Sequence, residues 1–189
     1  MMLSYEVMVR IMGTPNPNAY KFIVNCGLKN SGKATFNNAE EAVGITLIES
    51  LFAMPDVFQV HVFENVLTVT FNDGAPLDKL TADVEAILKT RLPVHDPDFV
   101  MPSEKAAKAQ KTNLSPEMQK IDEILDRTIR PGLQADGGDL EILGYENHVL
   151  TINYQGACGT CPSSMYGTLD AIQSILQNEY DPELQVMIG

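Results

Sequence analysis

Apolar residues alternate with polar ones in two stretches near the amino terminus. The first places them at Leu3, Tyr5, Val7, Val9 and Ile11, and the second runs from Tyr20 to Cys26. A period of two predicts strands with one buried face. The residues between them, 14–18, are Thr-Pro-Asn-Pro-Asn and break the pattern. We therefore expect two strands that pair with each other.

The next segments alternate between helical and extended periodicity. Apolar positions in 38–53 fall on one helical face, and Asn38 has a side chain suited to cap that helix. Residues 57–63 and 66–71 predict a β-hairpin, and Leu80 to Leu88 predict a second helix. These elements complete a small α+β domain, which we place at residues 1–92.

Residues 93–113 have a different character. Prolines stand at positions 93, 97 and 102, and an unpatterned polar run from Ser103 to Lys111 follows them. A stretch of this length without periodicity is unusual inside one compact domain. It predicts a flexible linker at 93–113 and a second domain at 114–189.

The second domain has the predicted order α-β-β-α-β. Ser115 and Pro116 are typical of a helix start, and apolar residues then recur at helical spacing as far as Arg130. Two strands follow in 140–154 as a hairpin, then a helix from about residue 162 and a last strand near 184–188. The predicted fold class is α+β, with two small α/β sandwich-type domains.

Composition and charge restrict the possible partners. The chain is 44% hydrophobic and carries a net charge of −12, and residues 113–189 hold 3 basic and 12 acidic side chains. Nucleic acids are bound through clustered lysine and arginine, so a nucleic-acid partner is not expected. Neither a secretory signal nor an apolar run of membrane-spanning length is recognised, so we expect no membrane partner and a cytoplasmic location.

Two of the three cysteines, Cys158 and Cys161, lie in the segment GACGTCPSS at the predicted start of a helix. A helix amino terminus favours thiolates, and in a reducing compartment a close cysteine pair binds metal or does redox chemistry more often than it forms a structural disulfide. Zinc sites and ordinary iron-sulfur clusters need four ligands. One pair supplies only two.

The remaining candidate ligands have simpler interpretations. Cys26 shares a predicted strand face with core residues, and no two histidines have ligand spacing. The acidic residues flanking Gly137 and Gly138 are interpreted as turn formers. The residues set aside in this way are Cys26, His61, His95, His148, Asp136 and Asp139.

The simplest way to complete four ligands is a second copy of the chain across a two-fold axis. Three hypotheses use the cysteine pair. They are a shared iron-sulfur cluster, a zinc-bridged structural homodimer, and a thiol-disulfide oxidoreductase of the thioredoxin type. The ligands alone do not separate iron-sulfur from zinc.

The chain resembles the NifU-like (Nfu-type) family of iron-sulfur cluster scaffolds or carriers. In 114–189 the resemblance rests on RPGLQADGGD at 130–139 and on GACGTCPSS followed by Thr168 and Leu169. In the amino-terminal domain it rests on TPNPNAYKF at 14–22. Thr160 and Asp170 depart from the usual glycine and lysine.

The resemblance implies that Cys158 and Cys161 are the cluster ligands and that the cluster is of the [4Fe-4S] type. It further implies a cluster shared by two chains, with apo iron-sulfur client proteins and the upstream cluster assembly machinery as partners. A carrier of this kind is expected not to be an enzyme. Its cluster is expected to be labile and to pass to clients by ligand exchange.

Overall fold

The computed structural model describes residues 6–101, 115–160 and 162–189. The chain divides into two compact units, Met1–Met101 and Pro102–Gly189. Each unit has its own buried apolar cluster. The α+β fold class and the two-domain organisation predicted from the sequence are therefore confirmed.

The first unit contains one five-stranded antiparallel sheet. Its strands are β1 (Val9–Gly13), β2 (Ala19–Val24), β3 (Lys33–Phe36), β4 (Val57–Phe63) and β5 (Val66–Phe71). They lie in the order β1-β2-β5-β4-β3. The predicted pairing of the first two strands and the β4–β5 hairpin are both confirmed. β3 is a strand that the sequence analysis did not predict.

Two helices accompany this sheet, α1 (Thr46–Phe52) and α2 (Leu77–Arg91), with a short 3-10 turn at Leu92–Val94. The prediction that the first helix begins at Asn38 was wrong. Gly44 has a φ of +90°, which an α-helix does not accept, so the helix starts after it. Asn38 instead closes a turn, in which its Oδ1 accepts the backbone N–H of Glu41 at 3.0 Å.

The segment after residue 92 belongs to the first unit as far as Met101, which corrects the predicted linker start at 93. Met101 is buried in the core of this unit. The Nζ of Lys29 donates to the carbonyl oxygen of Phe99 at 2.9 Å and lies 4.3 Å from the centre of its ring. These contacts are non-local, so periodicity within 93–101 does not show them. The rest of the predicted linker, 102–113, lies outside the described residues.

The second unit follows the predicted order with one addition. Its elements are α3 (Pro116–Thr128), α4 (Arg130–Ala135), β6 (Gly138–Glu146), β7 (Val149–Gly156), a 3-10 turn at Ala157–Thr160, α5 (Pro162–Glu179) and β8 (Gln185–Ile188). Ser115 caps α3 as predicted, since its Oγ accepts the N–H of Met118 at 3.2 Å. The short helix α4 occupies part of the predicted turn at 134–139.

The three strands of the second unit form a sheet in the order β6-β7-β8. β6 and β7 are antiparallel, whereas β8 runs parallel to β7 and is reached through α5. This crossover brings the chain from the end of β7 through residues 157–160 into a helix. Among the described residues of the chain, no helix is both long and apolar enough to cross a membrane.

Candidate functional site

Cys158 lies in the 3-10 turn between the end of β7 and the start of α5. The turn is attached to the loop before β6, because the N–H of Ala157 donates to the carbonyl oxygen of Gly137 at 3.2 Å. Cys158 is only 7% exposed. The sequence therefore predicted the position of this cysteine in the fold, although not its burial. Cys161 lies outside the described residues.

The side chain of Cys158 packs against Gly138, the first residue of β6. A Cβ atom built on Gly138 would lie 2.5 Å from the Sγ of Cys158 and 2.9 Å from the carbonyl oxygen of Gln155. Both distances are shorter than van der Waals contact. Gly138 therefore leaves a space that the thiol occupies, which we call the Gly138 slot.

Tyr154 of β7 lies beneath the same turn. A Cβ on Gly159 would come within 3.0 Å of the carbonyl oxygen of Tyr154, so the turn packs closely on this strand. Burial raises the pKa of the Tyr154 hydroxyl, and the neighbouring Cys158 thiolate raises it further. Tyr154 is therefore a neutral side chain at neutral pH, and adds no negative charge beside the cysteine.

A network of charged side chains is centred on Arg130. Arg130 at the start of α4 is 9% exposed, and its guanidinium binds two carboxylates of α3. Its Nη2 donates to Asp122 at 2.6 Å, and its Nη1 donates to Asp126. Burial lowers the pKa of Arg130, but these hydrogen bonds outweigh that effect and raise it above its usual value. The arginine is permanently charged.

Asp139 of β6 faces the same arginine. It is 1% exposed, and its Oδ1 lies 3.5 Å from the Nε of Arg130. Oδ1 also accepts the N–H of Leu140 at 2.7 Å, and Oδ2 accepts an N–H of Gln134 at 3.2 Å. The interpretation of Asp139 as a turn former was wrong, because it is a buried, ion-paired strand residue. Asp136 does lie in the turn after α4 and is exposed.

The other candidate ligands are used structurally. His61 is buried in β4 with its Nδ1 2.9 Å from the Oγ1 of Thr35, and the Nε2 of His95 lies 2.7 Å from the carbonyl oxygen of Leu28. Cys26 packs partly buried against the core of the first unit. His148 lies in the exposed turn between β6 and β7, as predicted, but its Nδ1 is in hydrogen-bond contact with Oδ2 of Asp181. Within the part of the chain that the structure describes, no three potential ligands come together as a metal site.

Family models match both units of the chain. The model described as "Scaffold protein Nfu/NifU N terminal" matches residues 9–94, and the "NifU-like domain" model matches residues 121–187. Together they cover more than half of the chain. The chain belongs to the Nfu-type, NifU-like family. The family assignment made from the sequence motifs is thereby confirmed.

Curated relatives match across nearly the whole chain. "NifU-like protein 5, mitochondrial" of Arabidopsis thaliana is 31% identical over 174 residues, which are 90% of this chain and 63% of that protein. "NFU1 iron-sulfur cluster scaffold homolog, mitochondrial" of Drosophila ananassae is 29% identical over 186 residues, covering 95% of this chain and 63% of that protein. The chain thus spans less than two thirds of the length of these relatives.

Among solved structures, the solution structure of a NifU-like protein from Saccharomyces cerevisiae covers 49% of this chain and 84% of its own. The two share 20% identity with a TM-score of 0.44.

Sequence reasoning missed Arg130 and Asp139 as members of the site. A signal for Arg130 was available, because Asp122 and Asp126 precede it by eight and four residues, the spacing of one helical face. No helical spacing signals Asp139, although the segment RPGLQADGGD that carries the family resemblance ends at this residue. Its carboxylate meets Arg130 only because β6 turns back beside α4.

Proposed function

We propose that the chain is an iron-sulfur cluster scaffold or carrier whose cluster is held by Cys158 and Cys161. The membership of both units in the Nfu-type family supports this role. The "iron-sulfur cluster scaffold" name of the fly relative supports it as well. The position of Cys158, at a helix start in a unit with no other thiol among its described residues, supports the assignment of the ligand pair.

The observation that carries the shared-cluster proposal is the shortage of ligands. A [4Fe-4S] cluster takes four thiolates, and each chain brings two at this place. The described residues bring no histidine or carboxylate cluster to complete the set. A second copy supplies the missing pair through a symmetric contact.

The cluster in this proposal is cargo. Ligands divided between two chains can be surrendered when the dimer separates or when thiolates of an apo client displace them. Apo iron-sulfur proteins are therefore the proposed recipients, with the upstream assembly machinery as donor, and the role requires no catalysis. The predicted cytoplasmic location stays a prediction, and the mitochondrial names of the relatives do not favour it.

The test is anaerobic reconstitution of the full chain with iron and sulfide, followed by sedimentation of the apo and loaded forms. We expect the apo chain to be largely monomeric at micromolar concentration. The loaded form should be a dimer with about four irons per two chains, a number set by the proposed cluster. Iron-sulfur absorbance that sediments with the monomer would contradict the bridged cluster. Zinc retained in place of iron and sulfide would favour the structural homodimer.

A further inference from the structure

Burial of the ion pair between Arg130 and Asp139 has an unfavourable desolvation free energy, so its presence is not explained by packing alone. The two residues are 9% and 1% exposed. Removing charges from water is so unfavourable that apolar residues of similar volume often stabilise a fold as well or better. We therefore interpret this buried ion pair by the part of the backbone that it holds in position.

The pair holds the start of β6. Asp139 is fixed from three directions, by Arg130, by Gln134 and by the N–H of Leu140. Arg130 in turn is fixed to α3 by Asp122 and Asp126. Gly138 is covalently joined to Asp139, so the contacts that fix Asp139 also fix the position of Gly138. The ion pair therefore connects the backbone at the Gly138 slot to α3.

The slot determines where the thiol lies. The Sγ of Cys158 lies 2.5 Å from the place where a Cβ on Gly138 would be, and the residue is only 7% exposed. An iron atom shared with a second copy of the chain has to bond the sulfur, at a distance near 2.3 Å, from the protein surface, where this buried thiol does not lie. The thiol must therefore rotate out of the slot before it can bind a cluster.

We propose that Arg130 and Asp139 are positioning residues which keep the Gly138 slot closed around the Cys158 thiol in the apo chain. In the apo chain the thiol is buried in the slot, and it moves outward when the chain binds the cluster. The inference deepens the proposed function and rests on it for the loaded state alone. The packing of Cys158 against Gly138 stands without it.

The first experiment measures the alkylation rate of Cys158 by iodoacetamide in the apo full chain, at one pH, with Cys26→Ala and Cys161→Ser as background. Asp139→Asn keeps the shape of the side chain but removes its charge, and should speed alkylation about tenfold through local opening. Glu146→Gln is the matched control, since it removes an acidic charge from the exposed far end of the same strand. It should leave the rate unchanged.

A general loss of stability must be separated from loss of the slot. Val186→Ala removes a buried side chain from β8, and is expected to destabilise the unit without a comparable rise in alkylation. Gly138→Ala fills the slot while keeping both charges, so the displaced thiol should also react about tenfold faster, by the same local exposure. Gln134→Ala removes one contact to Asp139 and should give an intermediate rate.

Equal alkylation rates in Asp139→Asn and Glu146→Gln would overturn the proposal. If Asp139→Asn does not fold, Gly138→Ala and Gln134→Ala decide, and unchanged rates in both would overturn it. Rates raised to the same extent in Val186→Ala would show a purely structural role and overturn it as well.

The loaded state gives the second measurement. In the chain with all three cysteines, Asp139→Asn should lose its cluster to an iron chelator several-fold more slowly than Glu146→Gln, because an open slot no longer competes with the cluster for the thiol. Failure of the wild-type chain to bind iron and sulfide would reject the proposed function, while the apo alkylation rates would still test the slot. Cluster binding with identical release rates in both variants would reject the positioning role alone.

Discussion

His148 Nδ1 lies 2.5 Å from Oδ2 of Asp181, joining the β6–β7 turn to the loop between α5 and β8. The same oxygen accepts a hydrogen bond from the hydroxyl of Tyr145 at 2.9 Å. The contact lies at the end of the sheet opposite Cys158, because β7 runs from this turn to the cysteine segment. It clamps the two loops that flank the pairing of β7 with β8.

We expect this clamp to depend on pH. The hydrogen bond to Asp181 raises the pKa of His148 above its usual value, and the hydrogen bond to His148 lowers the pKa of Asp181. The contribution of His148 to the free energy of unfolding is fully present below about pH 6.5, the pKa of histidine in the unfolded chain. It is lost as the pH rises through the higher pKa of His148 in the folded chain. The contribution of Asp181 to the free energy of unfolding is fully present above the pKa of aspartate in the unfolded chain. It is lost as the pH falls through the lower pKa of Asp181 in the folded chain. The clamp is therefore strongest at mildly acidic pH.

The measurement is an NMR titration of His148 in the full chain, with hydrogen exchange of the Gln185 amide, which donates to the carbonyl oxygen of His148 at 2.7 Å. Asp181→Asn should return the pKa of His148 towards its usual value. The protection of Gln185, corrected for intrinsic exchange, should fall as His148 deprotonates. An unchanged pKa in Asp181→Asn would contradict the clamp.

The cysteines should differ sharply in their effect on cluster binding. Cys158→Ser or Cys161→Ser should abolish binding without unfolding the chain, because each chain has only this pair to contribute. Cys26→Ala should bind normally, since Cys26 packs against the core of the first unit. Iron and sulfide content after anaerobic reconstitution gives the answer. Full occupancy in either single serine variant would refute the ligand assignment.

Phe99 should stabilise the first unit although it lies in the predicted linker. Its ring centre is 6.1 Å from that of Phe36, and the ammonium of Lys29 lies over its face. Phe99→Ala should lower the free energy of unfolding of this unit by about 2 kcal/mol, because a partly buried aromatic side chain and a cation–π contact are lost. Hydrogen exchange in β2 and β5 reports this loss.

Val100→Ala is the neighbouring control for Phe99. Val100 is an exposed hydrophobic residue, so its truncation should change the free energy of unfolding by less than about 0.5 kcal/mol. Equal effects of the two substitutions would mean that residues 95–101 do not dock on this unit through Phe99.

The loaded dimer should become tighter as salt is added. Each chain carries a net charge of −12, so two copies repel each other at low ionic strength. Raising the salt concentration to about 0.5 M shortens the screening length to a few ångströms and weakens this repulsion. Sedimentation of the loaded protein across a salt series measures the dissociation constant. A dimer that weakens with salt would instead indicate ion pairs across the interface.

Most elements follow from local pattern and were predicted from the sequence. The β4–β5 hairpin alternates around the short turn at Glu64 and Asn65, and α3 begins where Ser115 and Pro116 place a cap and a first helical residue. Such signals act between neighbours in the chain. The α-β-β-α-β order of the second unit, and the place of Cys158 between a strand and a helix, follow from them.

The errors arise where a distant contact or a single backbone angle decides the structure. The pattern of 38–53 fits a helix throughout, but the positive φ of Gly44 confines it to Thr46–Phe52. The four residues of β3 are too few for a period, and they become a strand because β4 offers a free edge.

The sequence by itself determined the family, the two α+β units and the cysteine pair, because these depend on local periodicity and on motifs readable in order. Only the tertiary structure decided that Asp139 pairs with Arg130 and that Phe99 docks under Lys29. It also decided that Gly138 receives the thiol of Cys158. Each of these contacts joins segments whose approach is set by the packing of whole elements, and no residue type or spacing encodes that approach alone.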